Sequence, residues 1–297
     1  MGNTESGGPA QIRPLGVADL PGALALSASA HWNQNEADWR TLLALGQGWA
    51  IDAVAADGRE QLAASAVVLP YGARFAWVSM LLVLPEFQRL GFATQLLRHA
   101  LGVLASRGMT AILDATPAGH AVYEQEGFRD TWCFARYRRE QCSAPTIQNR
   151  PPGPATRPLR DSDWPAIEAI DAPAFGASRL PLLRALAQRL PNAARVVEEG
   201  GRLRGFVFGR DGREARQIGP LLADDATATA TSLIGDVLSA LPGPVSLDLL
   251  DRRQALLPWL QQQGFVFQRP FTRMVQGGSG APGDPEPIVL VAGPELG

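Results

Sequence analysis

Val83-Leu84-Pro85-Glu86-Phe87-Gln88-Arg89-Leu90-Gly91-Phe92-Ala93-Thr94 joins an apolar strand to an amphipathic helix. Upstream, Phe75 to Val83 is apolar, aromatic and β-branched, as a central strand requires. Pro85 ends that strand and turns the chain. Downstream, Leu96, Leu97, Ala100, Leu101 and Leu104 recur at helical spacing, which predicts a helix over Phe92 to Ser106. Gly91 removes a side chain where backbone must approach a ligand, and Ala93 keeps the first helical turn small. A helix start offers unpaired N–H groups and about half a unit of positive charge. Such a turn suits a pyrophosphate. On these residues alone, an ordinary strand–turn–helix fits equally well.

Outward from this turn the chain reads as mixed α/β. Asp19 caps a helix through Leu26, and Asn35 or Glu36 opens another through Leu45. Trp49–Ala56 and Gln61–Leu69 read as strands joined by Asp57-Gly58, a hairpin signal. Ala111–Asp114 is a strand, His120–Glu126 a short helix closed by Gly127, and Thr131–Tyr137 a last strand.

Landmarks of this half recur. Arg13-Pro14-Leu15 with Asp19 is answered by Arg157-Pro158-Leu159 with Asp163. Glu124-Gln125-Glu126-Gly127-Phe128 is answered, at a similar separation, by Gln261-Gln262-Gln263-Gly264-Phe265. These matches point to a duplicated domain. Cys142 to Pro158 is rich in Pro, Ser, Thr and Gly without hydrophobic periodicity and reads as a linker. The expected division is therefore 1–141, a linker and the start of the second domain over 142–158, the body of that domain over 159–276, and a tail over 277–297 with the short apolar run Ile288–Ala292.

Composition narrows the partners. The 297 residues are 46% hydrophobic and 19% charged, enough apolar mass for two ordinary cores. A net charge of −2 with scattered arginines gives no basic field for nucleic acid or an anionic membrane. No window approaches the roughly 18 apolar residues of a membrane span. Met1 to Ala10 lacks the basic start and apolar core of a signal peptide, so a cytoplasmic protein is expected. Cys133 and Cys142 make neither a disulfide framework nor a metal set, and no metal is expected.

The turn Gln88 to Ala93 resembles motif A of the GNAT acyltransferase superfamily, Gln/Arg-x-x-Gly-x-Gly/Ala. Ala121-Val122-Tyr123-Glu124-Gln125-Glu126-Gly127-Phe128 resembles its motif B, which ends Tyr-x-x-x-Gly-Phe. Trp32-Asn33-Gln34, Asp38-Trp39-Arg40 and Leu113-Asp114-Ala115-Thr116-Pro117-Ala118-Gly119 resemble a bacterial subgroup with two such domains. So do Gly219-Pro220-Leu221-Leu222-Ala223-Asp224-Asp225 and the ending Ala292-Gly293-Pro294-Glu295-Leu296-Gly297.

The resemblance implies tandem GNAT folds and an acetyl-CoA site in the first half. Backbone N–H groups of Gln88, Arg89, Leu90, Gly91, Phe92, Ala93 and Thr94 would hold the pyrophosphate. Leu82, Val83 and Leu84 would pair with the pantetheine arm where two strands splay, and an N–H near Val83 would polarise the acetyl carbonyl. Tyr123 falls where the family places the acid that protonates the leaving thiolate; its bland alternative is a core aromatic. Many members carry Asn seven residues before that Tyr. Here the position is Thr116, which leaves the contact in doubt.

No base is fixed by the motifs. Asp114, Glu86, Asp38, Asp52, His31 and His120 are candidates, with Asp114 favoured for its place beside the cofactor strand, and turn capping its structural alternative. Trp32, Asn33 and Gln34, with Trp39 and Arg40, are expected to form the acceptor wall or to fill the helix–sheet interface. In the second half the equivalent turn carries Asp224-Asp225, which repel a pyrophosphate, and Leu260 replaces the tyrosine. That half is expected to have lost CoA binding and to complete the acceptor pocket. The expected activity is direct acetyl transfer from acetyl-CoA to a small-molecule amine, by a monomer or homodimer. An acyl-CoA sensor and a protein N-acetyltransferase are the alternatives.

Overall fold

One order of elements occurs twice along the chain. The computed structural model describes residues 11–140, 152–277 and 280–297. In the first half the elements are β1 (Ile12–Leu15), α1 (Leu20–Ser29), α2 (Glu36–Leu45), β2 (Gln47–Val54) and β3 (Glu60–Tyr71), then β4 (Phe75–Val83), α3 (Phe92–Ser106), β5 (Thr110–Ala115), α4 (Pro117–Gln125) and β6 (Phe128–Arg139). In the second they are β7 (Thr156–Pro158), α5 (Trp164–Phe175), α6 (Leu180–Arg189), β8 (Arg195–Glu199) and β9 (Arg202–Arg210), then β10 (Arg216–Ala223), α7 (Ala228–Ala240), β11 (Val245–Leu250), α8 (Leu257–Gln262) and β12 (Val266–Gln276). The tail adds β13 (Ile288–Leu290).

The repeated landmarks are working parts. Arg13 on β1 donates to Asp19 at 3.0 Å and also holds Asp52, while Asp19 accepts from the Gly16 N–H at 2.8 Å. Arg157 on β7 holds Asp163 at 2.7 Å and Glu198, and Asp163 accepts from the Arg160 N–H. Each latch fixes the first strand to the start of the first helix. Gly127 and Gly264, at φ +87° and +86°, end α4 and α8 in the left-handed conformation that favours glycine. Phe128 and Phe265 then enter the core.

The strands form one 13-stranded sheet, ordered β1-β2-β3-β4-β5-β12-β6-β11-β13-β10-β9-β8-β7. Its centre is an exchange: β12 of the second half lies between β5 and β6 of the first, and β6 lies between β12 and β11. The division at 141 and 159 therefore separates two repeats in sequence, not two packing units. Thr156–Pro158 pairs with Arg195–Val197 as β7, at the start of the second repeat. Linker residues 142–151 lie outside those described.

Apolar packing continues across the join. Phe175 of α5 meets Tyr71 with ring centroids 4.7 Å apart and stacks on Trp77 at 5.8 Å. The tail is pinned there: Tyr71 Oη donates to the Leu296 carbonyl at 2.6 Å, and Trp77 Nε1 to that of Pro294 at 3.0 Å. The α3 stripe Leu96, Leu97, Ala100, Leu101 and Leu104 is buried, as its periodicity requires.

Candidate active site

β4 and β5 pair in parallel at Phe75–Thr110, Ala76–Ala111 and Trp77–Ile112, and no further. The parting follows from a bulge in β4. Met80 has φ +50°, the register with β3 shifts between Ser65 and Val67, and Ser65 Oγ donates to the Met80 carbonyl at 2.8 Å. Leu84 N–H is bonded to the Ala63 carbonyl at 2.9 Å. Successive backbone groups of a strand point to opposite sides, so Val83 N–H faces the gap. Of the expected trio, Val83 presents its backbone to the gap, whereas Leu82 and Leu84 are turned to β3.

At the upper end of β4 the chain enters the glycine turn. Arg89 has φ +65° and Gly91 +84°. The first α3 bond runs from Gln95 N–H to the Gly91 carbonyl at 2.9 Å, so the N–H groups of Phe92, Ala93 and Thr94 precede the helical ladder. Gln88, Arg89, Leu90 and Gly91 are exposed. A methyl group added at Gly91 meets nothing within 4 Å, so the glycine serves its left-handed backbone and leaves the turn open outward.

Below the gap lies a narrow cleft of about 40 Å³. The first half contributes Trp32, Gln34, Met80, Asp114, Thr116 and Tyr123, and the second contributes Arg269, Phe271, Pro294 and Glu295. Tyr123 is half-buried and packs edge-on to Phe128 at 6.0 Å. Gly119, one turn earlier on α4, leaves room for its ring: a methyl there would stand 2.8 Å from Tyr123 Cε2. Burial pushes the Tyr123 hydroxyl up to about 12, so it keeps its proton at neutral pH. Thr116 caps α4 by position, with no side-chain hydrogen bond to the helix.

Asp114 does reach the cleft, but Arg273 of β12 holds both its oxygens, at 2.8 and 2.9 Å. Burial pushes the carboxyl up against the opposing pull of Arg273. The Arg273 guanidinium itself lies between Trp77 and Trp132, 4.3 and 3.9 Å from the ring centroids. The other base candidates lie elsewhere. Glu86 holds Gln61 at the surface, Asp52 holds Arg13, Asp38 accepts the Asn35 N–H at the start of α2 and pairs with Arg189, and His120 meets Asp130 at 2.8 Å. His31 lines an adjoining outer cleft.

Trp32 and Gln34 line the inner cleft, whereas Asn33 is a clamp between halves. Its side chain donates to the Ala215 carbonyl at 2.8 Å and accepts from the N–H groups of Glu214 and Ala215. Trp39 is wholly buried with its N–H on Ser27, and Arg40 pairs with Glu36 at the surface, so neither belongs to the wall. Arg136, Arg269, Arg273 and Glu295 were not singled out from sequence. They come from β6, β12 and a tail, whose partners no local pattern specifies.

The corresponding gap of the second half is filled. β10 and β11 pair at Arg216–Val245, Gln217–Ser246 and Ile218–Leu247, then part around β13, which pairs with both. The start of α7 is also occupied from within: Asp225 Oδ1 accepts the N–H groups of Thr227 and Ala228 at 2.8 and 2.9 Å. Asp224 pairs with Arg204 at 2.7 Å. Among the described residues, no group of three or more His, Cys, Asp or Glu is placed to hold a metal, and no helix is long and apolar enough to cross a membrane.

This duplicated mixed sheet, with one open and one filled gap, agrees with the family comparisons. Residues 25–128 match the acetyltransferase (GNAT) family model and residues 167–289 an acetyltransferase (GNAT) domain model. The chain belongs to the GNAT acetyltransferase family and carries two of its domains in tandem. It is 24% identical over 248 residues to the uncharacterized N-acetyltransferase YitH of Bacillus subtilis (strain 168), covering 83% of this chain and 84% of that one. Its fold matches that of a Pyrococcus horikoshii protein provisionally assigned as an acetyltransferase, with TM-score 0.75, 17% identity, and coverage of 97% and 95%. It also matches a tandem GNAT protein from the clavulanic acid biosynthesis pathway, with TM-score 0.64, 18% identity, and coverage of 91% and 100%.

Proposed function

We propose that the chain is an acetyl-CoA-dependent N-acetyltransferase for a small-molecule amine, with a single CoA site in the first half. The observation that carries this reading is continuity. The open glycine turn, the parted β4 and β5, and the hydroxyl of Tyr123 follow one another into a cleft closed by the second half.

Acetyl-CoA would supply an acetyl thioester. The N–H groups from Gln88 to Thr94 would hold its pyrophosphate, Val83 would pair with its pantetheine arm, and Thr116 stands near the same path. Backbone N–H groups at the bulge beside Met80 and Leu81 are suited to an oxygen that gains charge. Tyr123 is protonated at neutral pH, as a proton donor to a leaving thiolate must be.

Asp114 has its lone pairs engaged by Arg273, which favours a positioning role over that of base. It fixes β12 against β5 and so sets where the second half meets the cleft. A filled slot and an engaged helix start support the view that the second half no longer binds CoA. A narrow inner cleft supports a small acceptor over a protein segment.

The test is an amine-library screen with thiol release as readout. Acetylation of at least one small amine is expected. Tight acetyl-CoA binding with no transfer to any amine would instead establish a sensor, and transfer confined to peptides a protein acetyltransferase.

A further inference from the structure

The charges around the cleft do not balance within the protein. Asp114 is matched by Arg273, Glu295 by Arg210, and Arg136 by Asp248 through two bonds of 2.8 and 2.7 Å. Arg269 is the exception. It projects from β12 into the inner cleft and lines the outer cleft as well. Among the described residues it has no ion pair, its Nε is buried without a hydrogen-bond partner, and its guanidinium lies 5.4 Å from the Phe271 ring centroid. In the outer cleft, Arg138 is already engaged by Glu140 and Glu214. A part-buried cation without a counter-ion within ion-pair distance is favourably matched by a ligand that brings an anion.

The cleft also contains the opposite need. Glu295 Oε2 and Gln34 Oε1 are buried without a hydrogen-bond partner, and both residues line the inner cleft. Burial pushes the Glu295 carboxyl up, but the charges of Arg210 and Arg136 and the nearby Gln34 amide outweigh this and keep it ionised. These are two acceptors awaiting donors, and an amine or ammonium supplies them. The inner cleft is therefore dipolar, with acceptor oxygens from Gln34 and the tail and a free guanidinium from β12.

We propose that the acetyl acceptor is an amine that also bears an anionic group, with Arg269 binding the anion and Glu295 the nitrogen. This rests on the N-acetyltransferase reading and names its substrate class. A guanidinium fork matches a carboxylate or phosphate in two parallel bonds. An alkylamine of the same length leaves Arg269 as unpaired as it is now. Both side chains come from the second half, so the exchanged strand and the tail set the choice of substrate.

The test uses the full chain and matched acceptors: amino acids with their decarboxylated amines, and phosphomonoester amines with the parent amino alcohols. In the wild type the anionic member of a pair should have the higher kcat/KM by about 10–100-fold, as expected for hydrogen bonds to a charged group. Arg269→Gln, which breaks no internal ion pair, should lower that value to the level of the neutral member. Arg269→Glu should turn the preference toward diamines. Which pair shows the effect identifies the anion as carboxylate or phosphate. Equal use of both members, or a preference that survives Arg269→Gln, overturns the proposal.

If no amine releases thiol, the transferase reading fails, and calorimetry decides the anion site separately. The probes are then the corresponding amine-free carboxylates and phosphomonoesters. Binding that disappears in Arg269→Gln supports the site, and absence of binding to the wild type overturns it.

Discussion

In the first half, β4 and β5 pair over Phe75–Trp77 and then part around a cleft. In the second, β10 and β11 pair over Arg216–Ile218 and then part around β13. The scaffold repeats, including the Arg–Asp latch and the glycine that ends the last helix, and the gap is kept in both copies. What differs is its occupant. A gap between diverging parallel strands exposes backbone groups that must find partners. One copy leaves the gap open, and the other fills it with the chain's own tail. That tail then delivers Pro294 and Glu295 to the open cleft, so filling the second site helps to build the first.

The largest break in this comparison is to remove the occupant. Deleting Ile288–Gly297 withdraws three buried apolar side chains from β13 alone, each worth about 1.5–3 kcal/mol. Urea denaturation should show a loss of about 5 kcal/mol or more, with acceptor turnover lost as well. A truncated chain as stable as the full one would mean that β13 is only a passenger.

Next comes the chemistry. Tyr123→Phe should lower kcat by about 100-fold or more, the usual scale for a lost general acid, with acetyl-CoA affinity little changed. An unchanged kcat would remove Tyr123 from that role. The corresponding residue of the second half is Leu260, an apolar side chain that is fully buried.

A smaller effect is expected at the turn. Gly91→Val places a β-branched residue at φ +84°, so the turn must change shape. Acetyl-CoA affinity should fall by about tenfold or more, read by calorimetry, because a pyrophosphate needs several N–H groups aimed together. Asp225→Ala, at the matching helix start, should cost about 0.5–2 kcal/mol of stability as a lost cap and leave acetyl-CoA affinity unaltered.

Much of this was legible in the sequence, for a physical reason. Strand β4 and helix α3 fall where apolar periodicity predicts because their own side chains build their burial. The glycine turn at Gly91 and the Asp224-Asp225 helix start were legible because turn and cap chemistry is local, whereas Tyr123 was singled out by the motif resemblance. The exchange of β6 and β12 was not. A strand's pattern records which face is buried and leaves its hydrogen-bonding neighbour unspecified. For that reason Asp114 read as a free carboxylate: its partner Arg273 is remote in sequence and reaches it only through that exchange. Glu295 was visible within the ending Ala292–Gly297, but only the fold brings it into the cleft. Trp39 read equally as acceptor wall or as filler of the helix–sheet interface, because an aromatic on a helix does not show which side the sheet lies on.

The smallest predicted effect concerns what the halves share. Arg157 hydrogen bonds hold the Asp163 carboxyl below the ordinary carboxylate range, outweighing burial. At Asp19, burial pushes up, and Arg13 with the Gly16 N–H holds the group low. A carboxyl lower in the folded than in the unfolded protein contributes stability above its unfolded pKa and loses it as pH falls through the folded value. Melting curves between about pH 6 and pH 3 should show Arg157→Gln and Arg13→Gln each destabilised at the upper end and approaching the wild type at the lower. A gap that widens toward acid would contradict the latch.

The most direct test of the central claim, one open site and one filled, is the stoichiometry of acetyl-CoA binding by calorimetry. The account predicts one site per chain, weakened by Gly91→Val and untouched by Asp225→Ala. Two sites per chain, or a single site that survives Gly91→Val and is weakened by Asp225→Ala, would contradict it.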